Sequence, residues 1–294
     1  EAQLPRPRLT RPARFRLPWP VIAQVAGPLL CLLAIQLAPA GLDPAARRTL
    51  GAGLWMVTWW ITECVPILAT SLLPLALFPL LGIASSRQAA APYANDLVFL
   101  FLAGFLLAAA LEKWESHARV AYRLVLLVGL SGRRVVLGVM LATGAISMWI
   151  SNTATAAMMY PIAVAIGGLF ARDPKGDNAR AALMLGVAYA ASIGGMATVI
   201  GSPPNLVVAA ALRELAHTPV SFMQFAALGF PLTVVLLPLC WLLLVFVTFR
   251  GQPTLAGDAG AELRERLAAL GPVRGGERRV LTIFTLTALA WVLR

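Results

Sequence analysis

Apolar positions along this chain gather into blocks about as long as a bilayer is thick, with polar positions between them. A helix needs about 20 consecutive apolar residues to cross the hydrocarbon core. Trp19–Ala38 meets that length and predicts a first span. Leu50–Pro66 predicts a second and Leu68–Ile83 a third. A break is expected at Pro66, because proline disfavours helix in the residue before it. A polar connection, Ala84–Asp96, leads to a fourth span over Leu97–Leu111. Glu112–Arg134 mixes charged residues with Trp114, Val120, Leu124, Leu126 and Leu127, and predicts an amphipathic helix lying at the interface. Phe222–Phe249 predicts a long span, Arg250–Arg279 a charged loop and Val280 the start of a further span.

Two blocks do not read as simple spans. Val135–Ala171 holds no Lys, Arg, His, Asp or Glu, yet carries Ser151-Asn152-Thr153 near its middle. Within a bilayer, non-helical backbone survives only where it is buried in protein or lines a watery cavity. The triplet therefore suggests the tip of a re-entrant helical hairpin. The alternative is one spanning helix whose Ser, Asn and Thr bond to neighbouring helices. The polar loop Arg172–Asp177 closes this block, and Ala179–Leu212 follows, interrupted at Gly194-Gly195 and at Gly201-Ser202-Pro203-Pro204-Asn205. Pro203 and Pro204 cannot extend a helix that reaches them, but proline suits the first turn of a new one and Ser202 suits its N-cap. This segment predicts helix, unwound loop, helix; an ordinary proline kink is the alternative.

Composition places the chain in the membrane. Hydrophobic residues make up 59% and charged residues 13%, where a soluble domain carries about 25% charged. The formal charge of +11 is no sign of nucleic-acid binding, because the basic residues sit at the ends of apolar blocks. Cys31, Cys64 and Cys240 are far apart, as are His117 and His217, so neither a disulfide framework nor a metal spacing emerges. There is no signal-peptide pattern. The chain begins at Glu1 and stops at Arg294 inside an apolar run, as a piece of a longer protein would.

Charge also bears on the hairpin. With the arginine- and proline-rich residues 1–18 as a disordered cytoplasmic tail, a re-entrant hairpin puts Lys113–Arg134, Arg172–Arg180 and Arg250–Arg279 on the cytoplasmic side. Only Arg47, Arg48, Arg87 and Arg213 then face out, as the positive-inside rule demands. A full crossing at Val135–Ala171 would send Arg172, Lys175, Arg180 and the later basic loop outward.

Interrupted helices in an apolar chain point to a transporter site. Helix N-termini at the midplane suit an anion, and unwound carbonyls suit a small cation. No cationic side chain lies between Arg134 and Arg172 or between Arg180 and Arg213, so a bound anion would need a co-bound cation. Glu63, in Trp59-Trp60-Ile61-Thr62-Glu63, is either a structural residue at the membrane boundary or an intramembrane functional carboxylate. Trp114 beside Lys113 reads as an interfacial anchor.

These stretches resemble the divalent anion:sodium symporter family, which includes sodium-coupled dicarboxylate and citrate carriers. The resemblance rests on Trp59–Glu63, Phe99–Phe105, Ser147–Met159 and Gly194–Asn205, and covers about Gly51 to Val208. It implies an all-α polytopic membrane protein, the first repeat of an inverted-repeat, elevator-type homodimer. Residues 19–134 would form a scaffold region with the interfacial helix. Residues 135–249 would form the transport region, 250–279 a cytoplasmic loop and 280–294 the start of a truncated span. By the same resemblance Ser151, Asn152 and Thr153 contact substrate. Ser147, Ser151, Asn152 and Gly201 form a sodium site beside the helix-break loop Ser202, Pro203, Pro204 and Asn205. Two departures are small: Ser202 stands where Thr is usual and Ala103 where Gly is common. A third is large, because the second repeat, with its own hairpin, is absent.

The expected function is sodium-coupled symport of a divalent anion, a C4-dicarboxylate such as succinate or malate, in the inner (plasma) membrane. No organic cofactor, nucleic acid or enzymatic activity is expected. A sulfate carrier and a sodium-independent exchanger are alternatives within the class. An intramembrane enzyme is disfavoured, since no His or Asp accompanies Ser151 or Ser202 in its apolar segment.

Overall fold

The structure is a computed structural model and describes residues 19–39, 41–171, 173–250, 255, 257–273 and 275–293. The expected tail, residues 1–18, lies outside the described residues, as do Arg172 and Arg274 of the basic loops. The chain is all-α; among the described residues the only bridge between extended segments pairs Phe170 with Leu255. Contacts divide it into two compact units, residues 1–95 and 96–294. This division by packing differs in kind from a scaffold and a transport region, which differ in movement.

In the first unit, α1 (Trp19–Leu37) and α2 (Pro44–Thr62) run antiparallel. Gly27 of α1 lies under Trp55 and Trp59 of α2, while Cys31 lies against Gly51. The pairing is fastened by polar bonds: Trp59 Nε1 donates to the Gln24 carbonyl at 3.2 Å, and Gln24 Nε2 to the Cys64 carbonyl at 3.0 Å. Glu63 is exposed and ends α2 in the left-handed region, φ 49°. That is a capping position, which favours its structural reading. The expected third span is not one helix. Leu72 separates α3 (Ile67–Ser71) from α4 (Leu73–Leu80), and Pro74 and Pro79 lie in α4. At 1.5 Å per residue the two cover only about 21 Å. The polar connection holds α5 (Ser86–Ala90), opened by a Ser85–Gln88 capping box, and a 3₁₀ turn at Ala91–Ala94.

The second unit opens with α6 (Asp96–Lys113). The expected interfacial helix is shorter than Glu112–Arg134. Glu112 and Lys113 end α6, and α7 covers Ser116–Val128. Gly129 stops it at φ 111°, and Arg133 and Arg134 open the next helix. The face bearing Ala118, Ala121, Tyr122 and Val125 is buried, and Arg119 is buried with it.

Three helices then form the centre: α8 (Gly132–Ser147), α9 (Asn152–Gly167) and α10 (Pro174–Gly195). Their neighbours fix their directions. Gly186 faces Val136 and Met140, and Gly194 faces Gly144, so α10 runs parallel to α8. Gly167 faces Arg180 and Leu183, while Gly195 faces Asn152, so α10 runs antiparallel to α9. It follows that α8 and α9 are antiparallel, and the chain reverses between Met148 and Ser151. Close approach depends on small residues: a Cβ at Gly194 would stand 2.3 Å from the Gly144 carbonyl oxygen. Val135, Met140, Met159, Ile166, Leu183 and Phe170 fill the centre. The loop expected at Arg172–Asp177 is shorter, because Asp173 Oδ1 accepts from Gly176 N at 2.6 Å and starts α10 at Pro174.

After an unwound stretch, α11 (Pro203–Leu215) leads to α12 (Phe222–Leu242), which a wider π turn extends to Thr248. Among the described residues, Trp19–Leu37 and Phe222–Thr248 are long and apolar enough to cross a membrane. The expected charged loop contains α13 (Ala259–Ala269), and α14 (Gly275–Leu293) begins earlier than Val280.

Candidate functional site

The site is built where two helices stop and two begin. Helix α8 ends at Ser147, and after Met148–Ile150 the Ser151 hydroxyl accepts from Ala154 N at 3.4 Å and caps α9. Helix α10 ends at Gly195. The following loop is held by Asn205, whose Nδ2 donates to the Gly195 and Thr198 carbonyls, each at 2.8 Å. Thr198 Oγ1 donates to the Met148 carbonyl, joining the two breaks. Thr233 of α12 supports them from behind, donating to the Ile193 carbonyl at 3.0 Å.

Between the breaks lies a cluster of oxygens. The Asn152 carboxamide faces the Ala191 carbonyl and the Ser147 hydroxyl, both at 3.1 Å, and the Gly201 carbonyl at 3.2 Å. Ser147 Oγ donates to the Ala191 carbonyl at 2.6 Å. With its NH₂ turned inward, Asn152 donates to this cluster. With Oδ1 inward, four oxygens converge and only the Ser147 hydrogen is available among them. Those four are neutral, hard donors, a set that suits a small monovalent cation replacing the amide hydrogens. No group of three or more His, Cys, Asp or Glu gathers among the described residues. Gly195 makes room for this arrangement: a Cβ there would stand 1.9 Å from Asn152 Oδ1. Gly201 is needed for the same reason rather than for free dihedrals; its Cβ would stand 2.5 Å from the Gly195 carbonyl oxygen.

The two helix starts are unequal. Asn152 N and Thr153 N open α9 with no acceptor inside the helix. Helix α11 opens with Pro203 and Pro204, which carry no N–H, and Asn205 N goes to the Ser202 carbonyl at 3.1 Å. Ser202 stands at the N-cap but its hydroxyl makes no capping bond: Pro204 at the second helical position has no N–H, and Asn205 N at the third goes to the Ser202 carbonyl instead. Only α9 therefore presents amides to an anion. Thr153 is exposed beside them.

Ser147, Asn152 and Gly201 are thus brought together, while Ser151 serves the helix start and Thr153 is exposed. The Ala191 carbonyl and Thr198 belong to the site without having been singled out. A main-chain oxygen leaves no mark in a sequence, and Thr198 sits unremarked inside Gly194–Asn205.

The family model described as "Sodium:sulfate symporter transmembrane region" matches residues 17–294. The chain belongs to the sodium:sulfate symporter family. It is also 39% identical over 283 residues to the "Sodium-dependent dicarboxylate transporter SdcS" of Staphylococcus saprophyticus, a match covering 93% of this chain and 54% of that protein. The transporter of the same name from Staphylococcus aureus strain USA300 is 38% identical over the same shares. The chain thus spans about half the length of these curated relatives. Membership in a symporter family sets the enzyme alternative aside.

Thr198→Val tests how the two breaks are joined. It removes the bond to Met148 at nearly constant volume and leaves that carbonyl unpaired. The expected loss is about 1–3 kcal/mol of stability, read by thermal unfolding of the purified full-length protein. An unchanged midpoint would show that the breaks are not coupled through this hydroxyl.

Proposed function

We propose that the full-length protein is a secondary active carrier that moves a small divalent anion together with sodium across the inner (plasma) membrane. The substrate class is a C4-dicarboxylate such as succinate or malate. The observation that carries this reading is the convergence of Asn152, Ser147 and the Ala191 and Gly201 carbonyls beside the start of α9. Sodium occupies the oxygen cluster. One substrate carboxylate meets the amides of Asn152 and Thr153 and the hydroxyls of Ser151 and Thr153. No Lys or Arg lies in residues 135–171 or 181–212, so the dianion meets only dipoles and the co-bound cation. Neither ion is held well alone, and that mutual need is the coupling.

In the same reading, this chain supplies the first of two inverted repeats. The second supplies the opposing hairpin, and two copies pair as a homodimer in which residues 135–249 move against residues 19–134. The antiparallel course of α8 and α9 supports a re-entrant hairpin, because each has 16 residues and reaches only about 24 Å, short of a core about 30 Å thick. The loop at Asp173–Asp177 and the N-terminal tail are then cytoplasmic. A cysteine placed at Lys175 in sealed cells is expected to resist impermeant thiol reagents until the cells are opened. Labelling from outside would rule out the re-entrant course.

The deciding experiment is uptake into proteoliposomes by the full-length protein. Labelled succinate is expected to accumulate with an inward sodium gradient and not when potassium replaces sodium. Preferential uptake of labelled sulfate would reassign the substrate. Succinate uptake indifferent to sodium would overturn the coupling.

A further inference from the structure

The oxygen cluster takes its donors from both breaks, and one side chain of the first break packs against the second. Trp149 lies in the turn between Ser147 and Asn152 and supplies none of the four oxygens. Its backbone N–H donates to the Ile146 carbonyl at 3.1 Å, and that of Ile150 to the same carbonyl at 3.2 Å, so the main chain of the turn leans on α8. The side chain packs elsewhere. It meets one apolar cluster formed by Ala108, Ile150 and Met158 and a second formed by Val199, Ile200 and Ala209. Ile200 immediately precedes Gly201, whose carbonyl is one of the four oxygens.

The Trp149 ring is itself held. It stacks on Phe222 at the start of α12, with centroids 6.1 Å apart and planes 21° apart. It meets Phe284 of α14 edge-on, at 5.5 Å and 76°. Phe222 in turn lies 6.2 Å from Trp291. Phe284 and Trp291 stand two helical turns apart on one face of α14. Stacked and edge-to-face contacts at these separations are the favoured arrangements of aromatic pairs. Four rings thus tie the hairpin turn to α12 and α14, and the first of them presses on the residues that carry Gly201.

We infer that Trp149 is a positioning residue for the cation: its ring, held by Phe222 and Phe284, keeps the Gly201 carbonyl in register with the Asn152 carboxamide. This inference rests on the sodium reading of the oxygen cluster. A binding constellation works only when its groups are held within about 0.5 Å of the productive geometry by packing around them. Removing the ring leaves all four oxygens present but slackens the distance between the two stretches that carry them. The amides of Asn152 and Thr153 belong to α9 itself and keep their arrangement. Cation affinity therefore falls, while the anion regains its full affinity once sodium saturates.

The test is succinate binding to purified full-length Trp149→Leu, Trp149→Phe and Phe222→Leu across a sodium titration. Trp149→Leu is expected to raise the sodium midpoint about fivefold, through the loss of two ring contacts, and to match the wild type in succinate affinity at saturating sodium. Trp149→Phe keeps a ring and is expected to stay within about twofold of the wild type. Phe222→Leu, one ring further from the cluster, is expected to shift the midpoint the same way by about two- to threefold. A residue that served stability alone would lower the number of binding sites and leave the midpoint of the folded remainder unchanged. That result in Trp149→Leu overturns the inference, as does a Trp149→Phe midpoint as high as that of Trp149→Leu. Should Trp149→Leu fail to fold, an unchanged midpoint in Phe222→Leu overturns it instead. Wild-type binding indifferent to sodium would remove the sodium reading itself, a failure seen before any variant is compared.

Discussion

If the proposed sodium-coupled function holds, Asn152→Ala is expected to raise the sodium concentration needed for half-maximal succinate binding about tenfold or more, the factor that corresponds to about 1.4 kcal/mol. The Asn152 side chain reaches the Ser147 hydroxyl and the Ala191 and Gly201 carbonyls together. Truncation removes one of four oxygens and leaves a gap at the centre of the cluster. The loss cannot stay confined to sodium. Helix ends contribute about 0.3–1 kcal/mol each, at most about 2, whereas taking an ion out of water costs several kcal/mol even after relaxation. The dianion therefore depends on the cation, and the two affinities shift by the same factor. Gly201→Val acts by another route, pushing the loop off the Gly195 carbonyl and turning its own carbonyl away. Asn152→Asp separates the two roles: it keeps an oxygen, holds sodium, and weakens succinate binding by like charge. The measurement is succinate binding to purified full-length variants across a sodium titration. An unchanged sodium midpoint in folded Asn152→Ala and Gly201→Val would remove the cation from this cluster.

What could be read beforehand was local. The turn between Ser147 and Asn152 and the break from Gly195 to Pro203 are set by residues next to them, and each lies where the pattern puts it. The start of α12 at Phe222 follows from the same kind of signal, here a Ser221–Gln224 capping box. The failures involve competition between signals or partners distant in sequence. Leu68–Ile83 is apolar enough for a span, but Pro74 and Pro79 outweigh hydropathy there. Ser202 has the right chemistry for a cap, yet Pro204 offers no N–H and the Asn205 N–H goes to the Ser202 carbonyl instead of its hydroxyl. The fourth oxygen of the cluster comes from the Ala191 main chain, and alanine at that position gives no hint of it. Arg119 was grouped with the basic residues of an interfacial helix, because its partner lies 158 residues later.

That partner sets the second large effect: Arg119→Ala is expected to destabilise the full-length protein by about 3–5 kcal/mol. Arg119 Nε donates to Glu277 Oε1 at 2.8 Å, and a terminal nitrogen donates to Oε2 at 3.1 Å, a two-point pairing. Two of the three remaining guanidinium hydrogens serve the Gly271 carbonyl at 3.0 Å and the Leu270 carbonyl at 3.4 Å. Arg119 is 8% exposed and Glu277 3%. Neither charge can fall back on water, so deleting one strands the other, along with two carbonyls at the turn between α13 and α14. The same geometry at the surface would contribute only about 0–1 kcal/mol, which makes the size of the loss a measure of burial. Glu277→Gln keeps the shape and strands the guanidinium, and should cost nearly as much as Arg119→Ala. Arg119→Met combined with Glu277→Leu leaves no buried charge and should recover more than half of the single-variant loss. The residual cost is that of the Gly271 and Leu270 carbonyls. Denaturant unfolding of the four proteins in detergent reads all of these differences. Single variants that lose less than about 1 kcal/mol would mean that α7 and the start of α14 are not locked together by this pair.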